Sequence, residues 1–135
     1  MKPYIRHISK REAQQYGVPD GANYLQVVDP VMDEYAVRGH CRKVCLKFLD
    51  VETLGDGHIT DEQAEIIIQF LKESLEEGKP VIVSCIAGVC RSGAIAQVGE
   101  MMGFYYDTKL QGIIAPNIAV KNILLTKLYN GTLDL

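Results

Sequence analysis

Two hydrophobic spacings alternate along this chain. Short apolar runs at Tyr4–Ile8, Tyr24–Val28, Lys43–Leu49 and Pro80–Val83 have the length and composition of strands in a sheet. Between and after them, apolar residues recur every three or four positions: Ala64, Ile67, Ile68, Leu71 and Leu75 before Gly78, then Ile118, Val120, Ile123, Leu124 and Leu128 after Pro116. That spacing lays a single apolar stripe along a helix. Start and stop signals agree with it. Ser9-x-x-Glu12 and Thr60-x-x-Gln63 are capping-box patterns, the first opening a short helix that ends near Gly17. Asp29-Pro30 closes the second strand, residues 31–41 read as loop or a loose helical turn, a helix is expected from about Arg91 to Met102, and Pro116 is expected to open the last one. Strands alternating with helices predict an α/β fold, a central mostly parallel sheet of four to five strands flanked by helices, with ligands at the carboxyl ends of the strands.

Length and charge narrow the setting. A chain of 135 residues, 47% hydrophobic, can bury one core and has little room for a second, so a single domain over residues 1–135 is expected. A formal charge of −3 argues against broad binding to nucleic acid or an anionic membrane. No apolar run approaches the ~20 residues that span a bilayer, and Met1-Lys2-Pro3-Tyr4 does not open a signal peptide. The expectation is a cytoplasmic monomer without a cofactor.

The chemistry concentrates in Val-Ile-Val-Ser-Cys-Ile-Ala-Gly-Val-Cys-Arg-Ser-Gly, residues 81–93. A buried strand delivers Cys85 to its carboxyl end, and the helix that follows presents unpaired N–H groups and the positive end of its dipole. If Ile86, Ala87, Gly88, Val89, Cys90 and Arg91 wrap into a cradle, their N–H groups converge on the oxygens of a phosphoryl group, and Gly88 removes a side chain that would obstruct the curl. The same positive field favours the thiolate of Cys85. The planar fork of Arg91 can bind two phosphoryl oxygens at once, and the Ser92 hydroxyl is placed to donate to the thiolate when it leaves.

This segment resembles the phosphate-binding loop of the cysteine-dependent protein tyrosine phosphatases, specifically the compact dual-specificity type and its bacterial and phage-like relatives. Val44 to Asp50 is similar to the strand that ends in that family's general-acid aspartate, and Thr60 to Glu76 to the helix between acid and nucleophile. Ile8 to Ala13 and Ala115-Pro116-Asn117 also resemble segments of bacterial members. The resemblance implies hydrolysis of a phosphoprotein or small phosphate ester through a phosphocysteine on Cys85. The family usually has His immediately before the nucleophile, where this chain has Ser84. Cys90 before Arg91 is an arrangement that resembles low-molecular-weight phosphatases and arsenate reductases, but those carry the loop near the N-terminus and the acid far downstream.

Phosphoryl transfer needs a proton for the leaving group and afterwards a base for water, and one carboxyl can serve both. Asp50 is the first candidate because it ends a strand expected to lie beside that of Cys85. Asp56, between Gly55 and Gly57, is the second, and Glu52 the third. A calcium reading of Asp56-Gly57-His58 fails, because alignment to the twelve-residue loop puts Leu54 and Gln63 at positions that need oxygen ligands of other kinds. His7, His40 and His58 have no ligand spacing and read as surface or structural, so no metal is expected. Cys41 and Cys45 are assigned to core packing. Cys90 could form a reversible disulfide that protects Cys85. Tyr105, Tyr106 and Lys109 are candidates for the mouth of the cleft. Two other classes stay open: a phosphate-binding pseudophosphatase, and a sulfurtransferase or arsenate reductase that uses Cys85 and Cys90 in redox chemistry.

Overall fold

The computed structural model of the chain describes residues 2–53, 55–106 and 115–133. Its elements run β1 (Ile5–Ser9), α1 (Lys10–Tyr16), β2 (Asn23–Val28), β3 (Lys43–Lys47), α2 (Asp61–Glu77), β4 (Val81–Cys85), α3 (Arg91–Met102) and α4 (Ile118–Leu133). The four strands form one parallel sheet in the order β1-β4-β2-β3. Burial follows that order. The two inner strands, Asn-Tyr-Leu-Gln-Val-Val and Val-Ile-Val-Ser-Cys, are buried at every position, as parallel strands covered on both faces must be, while β1 and β3 at the edges are exposed in part.

Strand alternation divides the core in two. Ile5, Leu25, Val27, Val81, Val83 and Cys85 pack with residues of α2, α3 and α4 on one face. Ile8, Tyr24 and Ile82 pack on the other with Ala13 of α1 and with Val18, Ala22 and Val37 from the connections. On the first face α3 lies close against β1, because a Cβ at Gly99 would stand 2.6 Å from Ile5 Cδ1. A larger residue there would force the Ile5 side chain to shift.

Both capping boxes form. Ser9 accepts the Glu12 N–H and Thr60 the Gln63 N–H, with each partner side chain returning to the cap backbone. The last helix starts later than the proline predicts. Pro116 precedes it, and Asn117 caps it, with Oδ1 accepting the Val120 N–H at 3.1 Å. Cys41 is also not a core residue. It precedes β3, lies exposed, and has the Lys79 ammonium 3.5 Å from its sulfur, whereas Cys45, inside β3, is half-buried. No helix of the described residues is long and apolar enough to cross a membrane.

Candidate active site

Cys85 is the last residue of β4, buried to 2% exposure, with Sγ 3.1 Å from Ser92 Oγ in the first turn of α3. The loop between them is anchored from outside at alternate residues. Ile86 O accepts the Lys10 N–H at 3.3 Å, Gly88 O lies 2.7 Å from His7 Nδ1, and Cys90 O accepts the Ala94 and Asn117 N–H groups at 3.0 Å each. The described peptide bonds are all trans, so the N–H of the following residue points away from each anchored carbonyl. The N–H groups of Ala87, Val89 and Arg91 therefore point to the inner side of the curl. Gly88 is required in this curl: φ is +73°, and a Cβ would stand 2.4 Å from Ser9 N. The obstruction it avoids is the β1–α1 junction behind the loop.

The start of α3 differs from those of the other helices. Ser9, Thr60 and Asn117 each cap a helix through a side chain, whereas Cys90 makes no such bond. The N–H groups of that first turn, with the dipole behind them, are open to an anion. Arg91 lies at the same helix start. It is buried to 4% exposure, and its Nη1 donates to Asp29 Oδ1 and to Phe48 O, both at 2.7 Å. Nε is buried and has no partner among the described residues. Leaving a buried donor unpaired costs about 1–3 kcal/mol. An oxyanion on that edge of the guanidinium would remove the cost.

Asp50 lies three residues beyond β3. Its Oδ1 accepts Asn117 Nδ2–H at 2.7 Å, and the same amide donates to Val51 O at 3.1 Å. Cys90 donates its thiol proton to the Asp50 carboxylate. Burial first, and then the Asp50 charge, push the Cys90 thiol up from its ordinary range, which holds it protonated. Among the described residues no cluster of His, Cys, Asp or Glu could hold a metal ion.

No protein-family model matches the chain, and no curated protein does. Solved structures do. Human DUSP28 superposes with a TM-score of 0.64 at 13% identity, over 98% of this chain and 96% of its own. The human tyrosine phosphatase-like serine/threonine/tyrosine-interacting protein gives 0.61 at 13% identity, covering 95% and 93%. OH1 of the Orf virus, a tyrosine phosphatase with triple substrate specificity, gives 0.55 at 16% identity, covering 92% and 82%. The chain has the fold of the tyrosine and dual-specificity phosphatases.

Within that phosphatase fold, the structure brings Cys85, Ser92, Arg91, Cys90, Asp50 and the backbone of residues 86–91 to one end of the sheet. Asp56 is exposed in the β3–α2 connection, and Glu52, also exposed, is near enough for its charge to act on Cys90. The strand order corrects the reason given for Asp50. β3 does not lie beside β4; β2 stands between them, and the carboxylate at the end of the adjacent strand is Asp29, which holds Arg91. Ser84, the residue where the family usually has His, precedes the loop. It points to the other face of the sheet, 2.6 Å from Tyr24 OH and 3.2 Å from Tyr35 OH. Tyr106 is buried beneath the site, not at its mouth, and Lys109 lies outside the described residues.

Three residues of the site had no assigned role in the sequence. Asp29 carries the same signal as Asp50, an acid just past an apolar run, and could have been found by it. Asn117 sat in a recognised tripeptide without a function. His7 gave no local sign, because its partner Gly88 is 81 positions away.

Proposed function

We propose that this protein is a cysteine-dependent phosphatase that hydrolyses phosphotyrosine, and also phosphoserine or phosphothreonine, monoesters of proteins. The observation that carries this reading is the buried, half-paired Arg91: Nη1 is held by Asp29 and Phe48, and Nε is left without a partner beside an uncapped helix start.

In the first step the Cys85 thiolate attacks phosphorus, an S–P bond forms, and the bond to the leaving oxygen breaks. Asp50 in its acid form gives that oxygen a proton. The equatorial oxygens are held throughout by the inward N–H groups of the loop and by the free edge of Arg91. In the second step the Asp50 carboxylate takes a proton from water as its oxygen attacks phosphorus. The S–P bond breaks, and the Ser92 hydroxyl donates to the departing thiolate. The Asn117 bond to Oδ1 leaves the other carboxylate oxygen to carry the transferred proton. Exposed Asp56 has no comparable tie, which supports Asp50.

The redox alternative fares less well, because a resolving cysteine must ionise, and burial, with the Asp50 charge, keeps the proton on Cys90. The same protonated state disfavours the protective disulfide with Cys85 that the sequence suggested. A nucleophile that must stay reduced fits the cytoplasm, and we place the enzyme there as a monomer.

Hydrolysis of para-nitrophenyl phosphate tests the proposal. The wild type is expected to release nitrophenolate between pH 5 and 8, and Cys85→Ser to lose at least about a thousandfold in kcat, the scale on which a covalent nucleophile acts. If the wild type releases none but binds phosphate, the protein is a phosphate-binding pseudophosphatase. If it consumes thiol in the presence of arsenate, the redox reading replaces this one.

A further inference from the structure

We infer that His7 and Tyr106 are positioning residues for the anion loop, a side-chain pair that aims the Val89 N–H at the phosphoryl group by holding the Gly88 carbonyl on the opposite side. This rests on the phosphate-loop reading of residues 86–91 and assigns that loop a support that its own sequence does not contain.

His7 lies in β1, in register with Val83 of the nucleophile's strand, and its alternation with Ile5 turns its side chain to the α3 face. Its ring sits close to the helix start, where Cε1 would be 3.9 Å from a Cβ on Gly93. The imidazole is 4% exposed and bridges two partners, Gly88 O at 2.7 Å from Nδ1 and Tyr106 OH at 2.7 Å from Nε2. Tyr106 is itself 5% exposed.

The chemistry of the two partners fixes the proton positions. A carbonyl oxygen can only accept, so Nδ1 carries the hydrogen. Burial holds the ring neutral, with the charge of Arg6 acting in the same direction and the Gly88 bond and the charge of Glu12 acting against it. Nε2 is then an acceptor, and the Tyr106 hydroxyl must donate. A single directed chain results, from Tyr106 O–H to Nε2 and from Nδ1–H to Gly88 O. The Gly88 carbonyl sets the tautomer, and the Tyr106 hydroxyl, donating to Nε2, holds the ring in the orientation that keeps this bond.

The consequence for the anion site follows from the planar trans peptide. Of the three carbonyls anchored outside the loop, those of Ile86 and Cys90 are held by backbone N–H groups, and that of Gly88 is held by a side chain. Without that bond the glycine peptide, which has no Cβ to restrict it, can rotate and turn the carbonyl inward. A carbonyl dipole would then meet the phosphoryl oxygens where an N–H should be. Removing one preorganised donor from such a site costs about a hundredfold to a thousandfold in rate. A loosened donor should cost less, about tenfold to a hundredfold.

The test uses His7→Ala, His7→Asn and Tyr106→Phe in the full chain, with two readouts. One is kcat/KM on para-nitrophenyl phosphate; the other is calorimetric binding of tungstate, which needs no turnover. Asn places an amide nitrogen close to where Nδ1 stood, so His7→Asn can still donate to Gly88 O. His7→Ala should weaken tungstate binding and lower kcat/KM by about tenfold to a hundredfold, His7→Asn should recover most of both, and Tyr106→Phe should fall between. Addition of tungstate should also shift the Val89 amide resonance in the wild type and in His7→Asn, and shift it much less in Tyr106→Phe. If His7→Ala does not fold, His7→Asn and Tyr106→Phe carry the test alone. Tungstate affinity unchanged in Tyr106→Phe together with loss of affinity in His7→Asn would overturn the inference. A wild type that binds tungstate without turnover overturns the phosphatase reading alone, and one that binds no tungstate overturns both.

Discussion

In the proposed mechanism the guanidinium at position 91 has two jobs, and the residues that share them should respond differently to substitution. Nη1 is fixed by Asp29 and Phe48 O, and Nε has no partner among the described residues. Asp29→Asn keeps an acceptor and removes the charge, which halves a charge-assisted bond and costs about 1–1.5 kcal/mol, or roughly tenfold in kcat/KM. Arg91→Lys removes the fork itself, because an ammonium cannot hold Asp29, Phe48 O and two phosphoryl oxygens in one plane; about a hundredfold to a thousandfold should be lost. Steady-state kinetics on para-nitrophenyl phosphate separate the two. Equal rates for Asp29→Asn and wild type would mean that the aspartate does not position the guanidinium. The placing of Cys85 at a strand end and of Arg91 and Ser92 at a helix start was legible in the sequence because eight consecutive residues carry strand end, loop and helix start together. Asp29 and His7 reach the same site only through strand pairing, which no local spacing encodes.

At the scale of elements, the start of α4 ties the acid loop to the anion loop. Asn117 caps the helix with Oδ1, donates to Asp50 and Val51 with Nδ2, and donates its backbone N–H to Cys90 O. These roles separate by substitution. Asn117→Ser retains a side-chain cap and cannot reach Asp50 with an amide, whereas Asn117→Ala loses both and about 1 kcal/mol of stability with the cap. Both variants should lose activity toward phenyl phosphate, whose poor leaving group depends on the acid, by about tenfold; Asp50→Asn should lose a hundredfold or more. Only Asn117→Ala should melt earlier. Full phenyl phosphate turnover by Asn117→Ser would show that the amide does not orient the carboxyl. The helices and their caps were readable because Ser9 with Glu12 and Thr60 with Gln63 lie one turn apart. The order of the strands was not, since apolar runs of similar length give no sign that β2 lies between β3 and β4. That is why Asp50 was placed beside Cys85 by adjacency, when its contact with the site runs through Asn117 and Cys90.

For the molecule as a whole, the proposed anion site draws on all four described strands and on the start of two helices. β1 supplies His7 behind the loop, β4 ends in Cys85, β2 leads to Asp29, β3 leads to Phe48 and Asp50, α3 begins at Arg91, and α4 is joined through Asn117. An oxyanion bound there would pair with a buried guanidinium whose Nε has no partner among the described residues, and with the one helix start among the four described that no side chain caps. Binding should therefore stabilise the fold, and linkage sets the size: about 2.7 kcal/mol at a ligand concentration a hundred times Kd. For a domain of this length, that corresponds to a rise in Tm of roughly 5–15 °C. Thermal melts with tungstate measure it directly. Gly88→Ala should abolish the rise while leaving the strands paired, because the added methyl strikes the β1–α1 junction and forces the curl open at a positive φ. Arg91→Lys should reduce the rise without abolishing it, since the loop N–H groups remain. If the shift in Gly88→Ala matches that of the wild type, the anion binds somewhere other than the curl. A shift lost in Gly88→Ala and reduced in Arg91→Lys would place the bound charge between the loop backbone and the guanidinium, where phosphoryl transfer to Cys85 requires it.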